Sequence, residues 1–306
     1  MYDIIIIGGG IAGLTAGMYA MRAGMKTLMF EKLFAGGQIT TTYAIENYPG
    51  FVDPIDGPEF AMLLEKHARK FGLEILYEEV KNIEVEGEIK KVITDNKEYE
   101  TRTIILAMGA NPKTLGLDKE EKFRGRGVSY CATCDGTFYK DRVTAVVGGG
   151  DTALEDAFFL GQYASKVYLI HRRDEFRGSK ILQDRVLGHE KVEVLWDTVV
   201  ESITGEEEVE GITVRNLKED RVYSLPLDGF FVAIGNRPNN SLVDGKLDMS
   251  PDGFILTDDT METSVPGIFA VGDLRHKTVL QIVTAASDGA VGTLSAQRYI
   301  MENFEE

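Results

Sequence analysis

The sequence predicts an α/β protein of two units, each built on a parallel sheet, and two observations carry that reading. One is a β-branched run, Tyr2-Asp3-Ile4-Ile5-Ile6-Ile7, that leads straight into Gly8-Gly9-Gly10-Ile11-Ala12-Gly13. The other is the return of the same arrangement, with Arg142-Val143-Thr144-Ala145-Val146-Val147 running into Gly148-Gly149-Gly150-Asp151-Thr152-Ala153. At 306 residues the chain exceeds the size at which one core usually keeps growing, which agrees with two domains.

The first run is apolar on both alternating faces, the pattern of a strand covered on both sides. Residues 11–23 continue as an Ala-rich helix and Lys26 to Phe30 read as a second strand. In that setting Gly8, Gly10 and Gly13 have distinct uses: a tight turn, close approach of backbone to a pyrophosphate, and close packing of helix on strand. The helix start attracts the anion. Glu31 ends the second strand, where a carboxylate accepts hydrogen bonds from an adenosine ribose.

Two polar, glycine-rich segments follow, Ala35 to Thr42 and Glu46 to Gly50, of a length that suits binding loops better than plain turns. Gly57 to Gly72 reads as a helix with Phe60, Leu63, Leu64, His67 and Phe71 on its apolar face. Glu74 to Thr103 reads as short antiparallel strands, Ile104 to Gly109 as a buried strand ending in glycine, and Pro112 as a linker.

Tyr130-Cys131-Ala132-Thr133-Cys134-Asp135-Gly136 contains the chain's only two cysteines, three positions apart. Thiols at this spacing can close a small disulfide ring, and Asp135 can move the proton that thiol exchange needs. Half of a structural zinc site is the competing reading. Zinc takes four ligands, however, and the chain has no second CxxC or CxH pair, so a zinc shared between two chains or an idle pair are the alternatives to a redox dithiol.

In the second unit the register repeats, since Gly8 to Glu31 and Gly148 to His171 are each 23 positions. Where the first unit has a carboxylate, the second has His171, Arg172 and Arg173, with Arg177 a helical turn on. A carboxylate suits a 2′-hydroxyl and repels a 2′-phosphate, whereas an Arg cluster suits the phosphate. The first unit is therefore expected to hold the adenosine of FAD or NAD, and the second that of NADP. Phe230 to Gly235 mirrors Ile104 to Gly109, Asn236 to Asn239 reads as the return linker, and Gly205 to Glu208 as an acidic hairpin tip. Trp196 is expected in the core. Ile268 to Asp273 reads as a strand running into an acid, followed by a long helix over residues 279–303 whose start can face a flavin ring.

Net charge of −16 and a pI near 4.8 argue against nucleic acid and anionic membranes as partners. Lys122, Arg124 and Arg126 are a local basic exception and a candidate docking patch for an acidic protein. The apolar runs are too short to span a bilayer and no export signal is visible, so the cytoplasm is the expected location.

Taken together, these motifs resemble the low-molecular-weight thioredoxin reductases of the class II pyridine nucleotide-disulfide oxidoreductases, over nearly the whole chain. The family's Cys-Ala-Thr-Cys-Asp is matched at Cys131 to Asp135, its Gly-Gly-Gln-x-Thr-Thr-Thr at Gly36 to Thr42, its Glu-Asn-x-Pro-Gly at Glu46 to Gly50, its His-Arg-Arg-x-x-x-Arg at His171 to Arg177, and its Gly-Asp at Gly272-Asp273. Met108 replaces the Thr of Ala-Thr-Gly, and Leu280-Gln281-Ile282 stands for Arg-Gln-Ala.

The resemblance implies two Rossmann-like three-layer domains, an FAD domain on 1–112 and 240–306 and an NADPH domain, inserted into it, on 113–239. It places FAD against Gly8, Gly10, Gly13, Glu31, Gly37, Gln38, Thr41, Asn47, Gly109, Gly272, Asp273, Gln281 and Ile282. NADPH falls to Gly148, Gly150, Asp151, Thr152, Ala153, His171, Arg172, Arg173, Arg177 and Gly235. It also implies that Cys134 faces the flavin, that Cys131 attacks thioredoxin or a similar protein disulfide, and that Asp135 donates the proton. A homodimer, and rotation of one domain between two docked states, belong to the same picture. A related dithiol oxidase and a non-catalytic flavin redox sensor are the alternatives; the intact His-Arg-Arg cluster argues against an oxidase.

Overall fold

A computed structural model describes residues 1–42 and 44–304, so the end of the expected FAD domain at 305–306 lies outside the described residues. The chain divides into two compact units, Met1–Asn111 with Arg237–Glu306, and Pro112–Asn236.

The first unit opens with β1 (Tyr2–Ile7), α1 (Ile11–Arg22), β2 (Thr27–Glu31), α2 (Gly57–Lys70), β3 (Glu74–Tyr77), β4 (Val80–Glu84), β5 (Lys90–Thr94) and β6 (Glu98–Leu106). The strands lie in the order β3-β2-β1-β6-β5-β4. The pairs from β3 to β6 are parallel, while β4 and β5 add an antiparallel hairpin. Glu74 to Thr103 is thus not all antiparallel: Glu74 to Tyr77 pairs in parallel with β2, with Leu28 opposite Glu74. Period-two alternation reports which face is buried and not the direction of the neighbour. Ile104 to Leu106 is the end of β6 and not a strand of its own.

Ile4 and Ile6 point to a core shared with Leu14, Phe60 and Ala296, whereas Ile5 and Ile7 point to a second core with Phe30, Tyr99 and Ile255. Both faces of the sheet are covered, which is why its central strand is apolar at successive positions. In α2 the Asp56 carboxylate caps the helix by accepting from Glu59 N–H at 3.1 Å. Phe60, Ala61 and Ala68 are buried, but Leu63 and His67 are exposed. The apolar face of this helix is narrower than its sequence pattern suggested, because Phe60, Leu64 and Ala68 already complete the buried ridge at spacing four.

The chain leaves through β7 (Ala110–Pro112) into the second unit, formed by β8 (Val128–Ser129), α3 (Ala132–Asp135), β9 (Val143–Gly148), α4 (Asp151–Tyr163), β10 (Lys166–Ile170), α5 (Lys180–Leu187), β11 (Val192–Leu195), β12 (Thr198–Thr204), β13 (Gly211–Asn216), β14 (Arg221–Pro226) and β15 (Gly229–Ala233). The order β11-β10-β9-β15-β8 is parallel throughout, and β12-β13-β14 form a separate antiparallel sheet. Ala145 and Val147 pack toward that sheet with Ile212 and Val214; Val146 packs toward α4 with Ala153, Ala157 and Leu160. In the first unit, by contrast, the antiparallel strands β4 and β5 continue the main sheet. Trp196 is only half-buried, in the turn before β12, with its ring 4.3 Å from that of Phe176.

The return strand β16 (Asn236–Pro238) pairs with β7. In the first unit β17 (Ile268–Ala270) then lies parallel to β6, and α6 (Ile282–Phe304) crosses α1. That crossing is close: a Cβ on Gly289 would sit 2.2 Å from Ala12 O, and Thr293 Oγ1 donates to Ala16 O at 3.1 Å. Only glycine fits at position 289.

Candidate functional site

In the first unit the glycine turn is built by exclusion. A Cβ on Gly13 would fall 1.9 Å from Gly8 O, so α1 can approach β1 only with glycine there, while a Cβ on Gly10 would meet nothing within 4 Å. The turn is therefore tight behind and open in front. Glu31 Oε2 accepts Gly9 N–H at 2.8 Å and Oε1 accepts Leu33 N–H at 3.0 Å, which fixes the carboxylate beside the turn. Gly36 N–H donates to Gly9 O at 2.8 Å, and Gly37 begins a 3-10 turn, Gly37–Thr41, against Gly10. Within it Thr41 Oγ1 donates to Gln38 O, while Gln38 Nε2 reaches Ala110 O at 2.6 Å, one residue past Gly109. Asn47 Nδ2 donates to Gln281 Oε1 at 3.1 Å, immediately before Ile282 opens α6.

Gly272 lies in the left-handed region at φ 70°, with its Cβ position 2.9 Å from the Ala12 side chain. Its N–H donates to Asp288 Oδ2 at 3.1 Å, and the same carboxylate accepts from Arg275 Nε at 2.9 Å and Lys277 Nζ at 3.1 Å. Sequence reasoning missed this network, since Asp288 is 16 positions away on another element. Asp273 Oδ1 is buried without a hydrogen-bond partner, with Lys277 Nζ 3.4 Å away. Burial raises the Asp273 carboxyl above its usual range, and the Lys277 cation draws it partly back.

The second glycine turn repeats the first. Gly150 faces open space, and a Cβ on Gly148 would collide with Ala233 O at 2.4 Å and with Ala153 at 2.5 Å. Asp151 opens α4 and its Oδ1 accepts Ser179 N–H at 2.6 Å; Thr152 beside it is exposed. Arg172, Arg173 and Arg177 are exposed, and among the described residues none of the three guanidiniums forms an ion pair. His171 is placed differently. It is buried beneath the turn, where a Cβ on Gly149 would strike its ring at 2.1 Å, and it hydrogen-bonds to the backbone of Glu175 and Gly148. Burial lowers its pKa, the Glu175 and Gly148 backbone bonds draw it partly back, and the Arg173 and Arg177 charges act with the burial. Gly235 follows β15 at φ 99° and its carbonyl accepts Lys113 N–H at 2.9 Å.

Cys131 and Cys134 are joined as a disulfide, with Cα atoms 5.3 Å apart. Cys134 and Asp135 N–H both donate to Cys131 O, at 3.2 and 3.1 Å, which makes the segment a single helical turn. Ser129, which spacing alone did not single out, donates its hydroxyl to Asp135 Oδ2 at 2.6 Å and accepts Cys131 N–H at 3.1 Å. Burial raises the Asp135 carboxyl and the Ser129 hydroxyl holds part of that rise back. Glu120, almost fully buried, accepts the Tyr130 hydroxyl at 2.9 Å and the Leu115 and Leu117 amides, anchoring the approach to Cys131. Of the basic residues upstream, Lys122 Nζ donates to Glu206 O, Arg124 lies 5.1 Å over the Tyr130 ring, and Arg126 is exposed. Among the described residues no cluster of His, Cys, Asp and Glu could hold a metal ion, and no helix is long and apolar enough to cross a membrane.

A fold of two parallel-sheet units, each with an open glycine turn, and a cysteine pair on one of them define a dinucleotide-dependent disulfide oxidoreductase class. The chain belongs to the pyridine nucleotide-disulphide oxidoreductase family, whose model matches residues 2–290. Thioredoxin reductases of Listeria monocytogenes and Bacillus subtilis are each 44% identical to it over 303 residues, covering 99% of this chain and 95% and 96% of theirs. The crystal structure of thioredoxin reductase from Streptococcus pyogenes matches with a TM-score of 0.93 at 44% identity, covering 99% of both chains.

Thioredoxin reductases of this family bind FAD and depend on NADPH. The residues of the first unit fit a flavin dinucleotide: open backbone at Gly10 admits a pyrophosphate and Glu31 is fixed beside it. In the second unit three unpaired guanidiniums beside an open Gly150 fit a phosphorylated ribose.

Proposed function

We propose that this chain is an NADPH-dependent flavoprotein that reduces the disulfide of thioredoxin or a similar small protein through Cys131 and Cys134. The observation that carries the reading is the closed cysteine pair beside a desolvated acid, in the same unit as an open glycine turn flanked by unpaired arginines.

On this reading FAD occupies the first unit, with Gly8, Gly10, Gly13, Glu31, Gly37, Gln38, Thr41, Asn47, Gly109, Gly272, Asp273, Gln281 and Ile282 around it. NADPH occupies the second, with its pyrophosphate at Gly148 to Ala153 and its 2′-phosphate on Arg172, Arg173 and Arg177; Gly235 borders the site, and His171 holds the turn from below. Bound FAD supplies the conversion of a hydride from NADPH into the electron pair that opens the disulfide. The chain's own residues do the rest. The Cys131 thiolate attacks one sulfur of the partner disulfide, forming a mixed disulfide and releasing one partner thiolate. Cys134 then attacks Cys131, closing the internal disulfide and releasing the second partner thiolate. Asp135, whose carboxyl burial raises above its usual range, delivers a proton to a departing thiolate, and Ser129 orients it.

A homodimer and a cytoplasmic location complete the reading. The family resemblance supports the first, and the reducing power this chemistry requires supports the second. The test is anaerobic addition of NADPH to the yellow purified protein: the flavin band bleaches and returns when oxidised thioredoxin is added. A protein that binds no flavin, or whose colour is indifferent to NADPH, overturns the proposal.

A further inference from the structure

The cysteine turn contains a hydroxyl group that the reaction above does not use. Ala132, the first residue of α3, is fully buried in a core with Leu154 and Leu160 of α4, and a Cβ on Gly136 would lie 3.0 Å from Leu160 and Phe159. With those two positions packed inward, Thr133 between them is exposed and Cys131 is half-buried. Thr133 Oγ1 lies 3.4 Å from Cys131 Sγ. The backbone of the turn holds the two together: Ser129 Oγ accepts the Cys131 amide at 3.1 Å, and the Cys134 and Asp135 amides donate to Cys131 O. A sulfur in a disulfide carries no hydrogen, so in this contact the hydroxyl is the donor and Cys131 Sγ the acceptor.

We propose that Thr133 is a catalytic residue of the dithiol: its hydroxyl donates a hydrogen bond to the Cys131 sulfur and stabilises the thiolate formed there when the disulfide opens. The inference rests on reading Cys131 and Cys134 as a redox pair. Opening the S–S bond takes one proton and two electrons, which on that reading come from NADPH through the bound flavin, and it leaves one thiolate and one thiol. A disulfide sulfur is a weak acceptor and a thiolate a charged one, so the same contact strengthens as the bond breaks. A hydrogen bond to the charged form of an acid favours that form, and the thiolate is the form that attacks a partner disulfide. Because Thr133 is exposed, water competes for the sulfur and limits the effect to roughly one pH unit or less.

The ionisable groups on and around the turn are common to every variant compared below. Asp135 belongs to the turn and is held by Ser129, Tyr139 ends the 3-10 turn that follows, and Glu155 and Asp156 lie on α4. On the approach to Cys131, Tyr130 donates to Glu120 with Arg124 over its ring, and Lys122 and Arg126 precede β8. Replacing Thr133 alters none of these groups, so a change in the ionisation of Cys131 reports the hydroxyl.

Iodoacetamide alkylation tests this in the flavin-loaded chain carrying Cys134→Ser, where Cys131 is the only thiol. Its rate is followed from about pH 5 to pH 10 with Thr133 in place, as Thr133→Val, which keeps the shape without the donor, and as Thr133→Ser, which restores the donor. Thr133→Val is expected to move the midpoint of the rate profile up by about 0.5–1 in pH and to react about 3–10-fold more slowly below it, matching the parent at alkaline pH where both thiols are ionised. Thr133→Ser should return the midpoint to that of the parent. A midpoint that Thr133→Val leaves in place, a slowing that is the same at every pH, or one that Thr133→Ser does not reverse overturns the proposal. Should Thr133→Val not fold, Thr133→Ala takes its place with the same expectations. A wild-type cysteine pair that dithiothreitol cannot open, or that oxidised glutathione cannot close, overturns the redox reading itself, whereas a redox-active pair with an unmoved midpoint overturns only the role of Thr133.

Discussion

The Ser129 hydroxyl lies 2.6 Å from Asp135 Oδ2 while its oxygen accepts the Cys131 amide, so one side chain joins the acid to the backbone of Cys131. Its effect on Asp135 has a definite sign. Burial raises the carboxyl, and the hydroxyl stabilises the ionised form and lowers it again. The proton-donating form is present below the raised pKa and is lost as pH rises through it. Ser129→Ala should therefore move the alkaline fall in thioredoxin reduction to higher pH, and Asp135→Asn should remove that limb and slow the step about 10²-fold. Stopped-flow reoxidation of the reduced protein by thioredoxin disulfide across pH measures both; a limb that stays in place in Ser129→Ala contradicts the assignment.

Gly10 and Gly13 should respond to substitution in different ways. The space in front of Gly10 is empty, so Gly10→Glu is expected to fold with a near wild-type melting temperature yet emerge colourless, its side chain occupying the place of the pyrophosphate. Gly13→Ala forces a Cβ to within 1.9 Å of Gly8 O and should cost stability, about 1–3 kcal/mol as for other overpacked sites. Flavin content and thermal unfolding of the two variants separate binding from packing. A yellow Gly10→Glu protein would sink the assignment of this turn.

Much of this architecture was legible because its physical demands are local. A strand covered on both faces must be apolar at successive positions, as Ile4 to Ile7 are, and a helix that begins against that strand needs glycine where Gly13 meets Gly8. The parallel pairing of Glu74 to Tyr77 with β2 was not legible, since direction leaves no mark in a four-residue strand. His67 and Leu63 show a helical repeat overstating its buried face. Around the cysteines, sequence spacing pointed to Asp135 but not to Ser129 or Glu120, whose contacts depend on where β8 and the preceding loop are brought together in space. His171 stood in the sequence as one more base in a cationic cluster; only the packing of its ring on Gly149 separates it from the exposed arginines.

That separation yields a prediction on nucleotide choice. Arg172→Ala with Arg173→Ala removes two exposed guanidiniums and leaves the turn intact. Charge-assisted contacts are worth about 1.5–3 kcal/mol each, so the preference for NADPH over NADH, as a ratio of kcat/KM values, should fall roughly 10²-fold or more. His171→Ala, by contrast, should weaken both nucleotides together and lower the melting temperature, because it empties the space under Gly149. Steady-state kinetics with each nucleotide distinguish the two; a His171→Ala protein that loses only NADPH would place the ring on the phosphate after all.

The most direct test of the whole account is a stoichiometry. With oxidised thioredoxin in excess under anaerobic conditions, NADPH consumed and thiols formed are measured for the wild type, Cys131→Ser and Cys134→Ser. The account predicts two thioredoxin thiols per NADPH in the wild type and no sustained turnover in either variant, with Cys134→Ser alone trapping thioredoxin as a mixed disulfide on Cys131. NADPH consumption that yields no thiols, or thioredoxin reduction that survives the loss of Cys131, would contradict it.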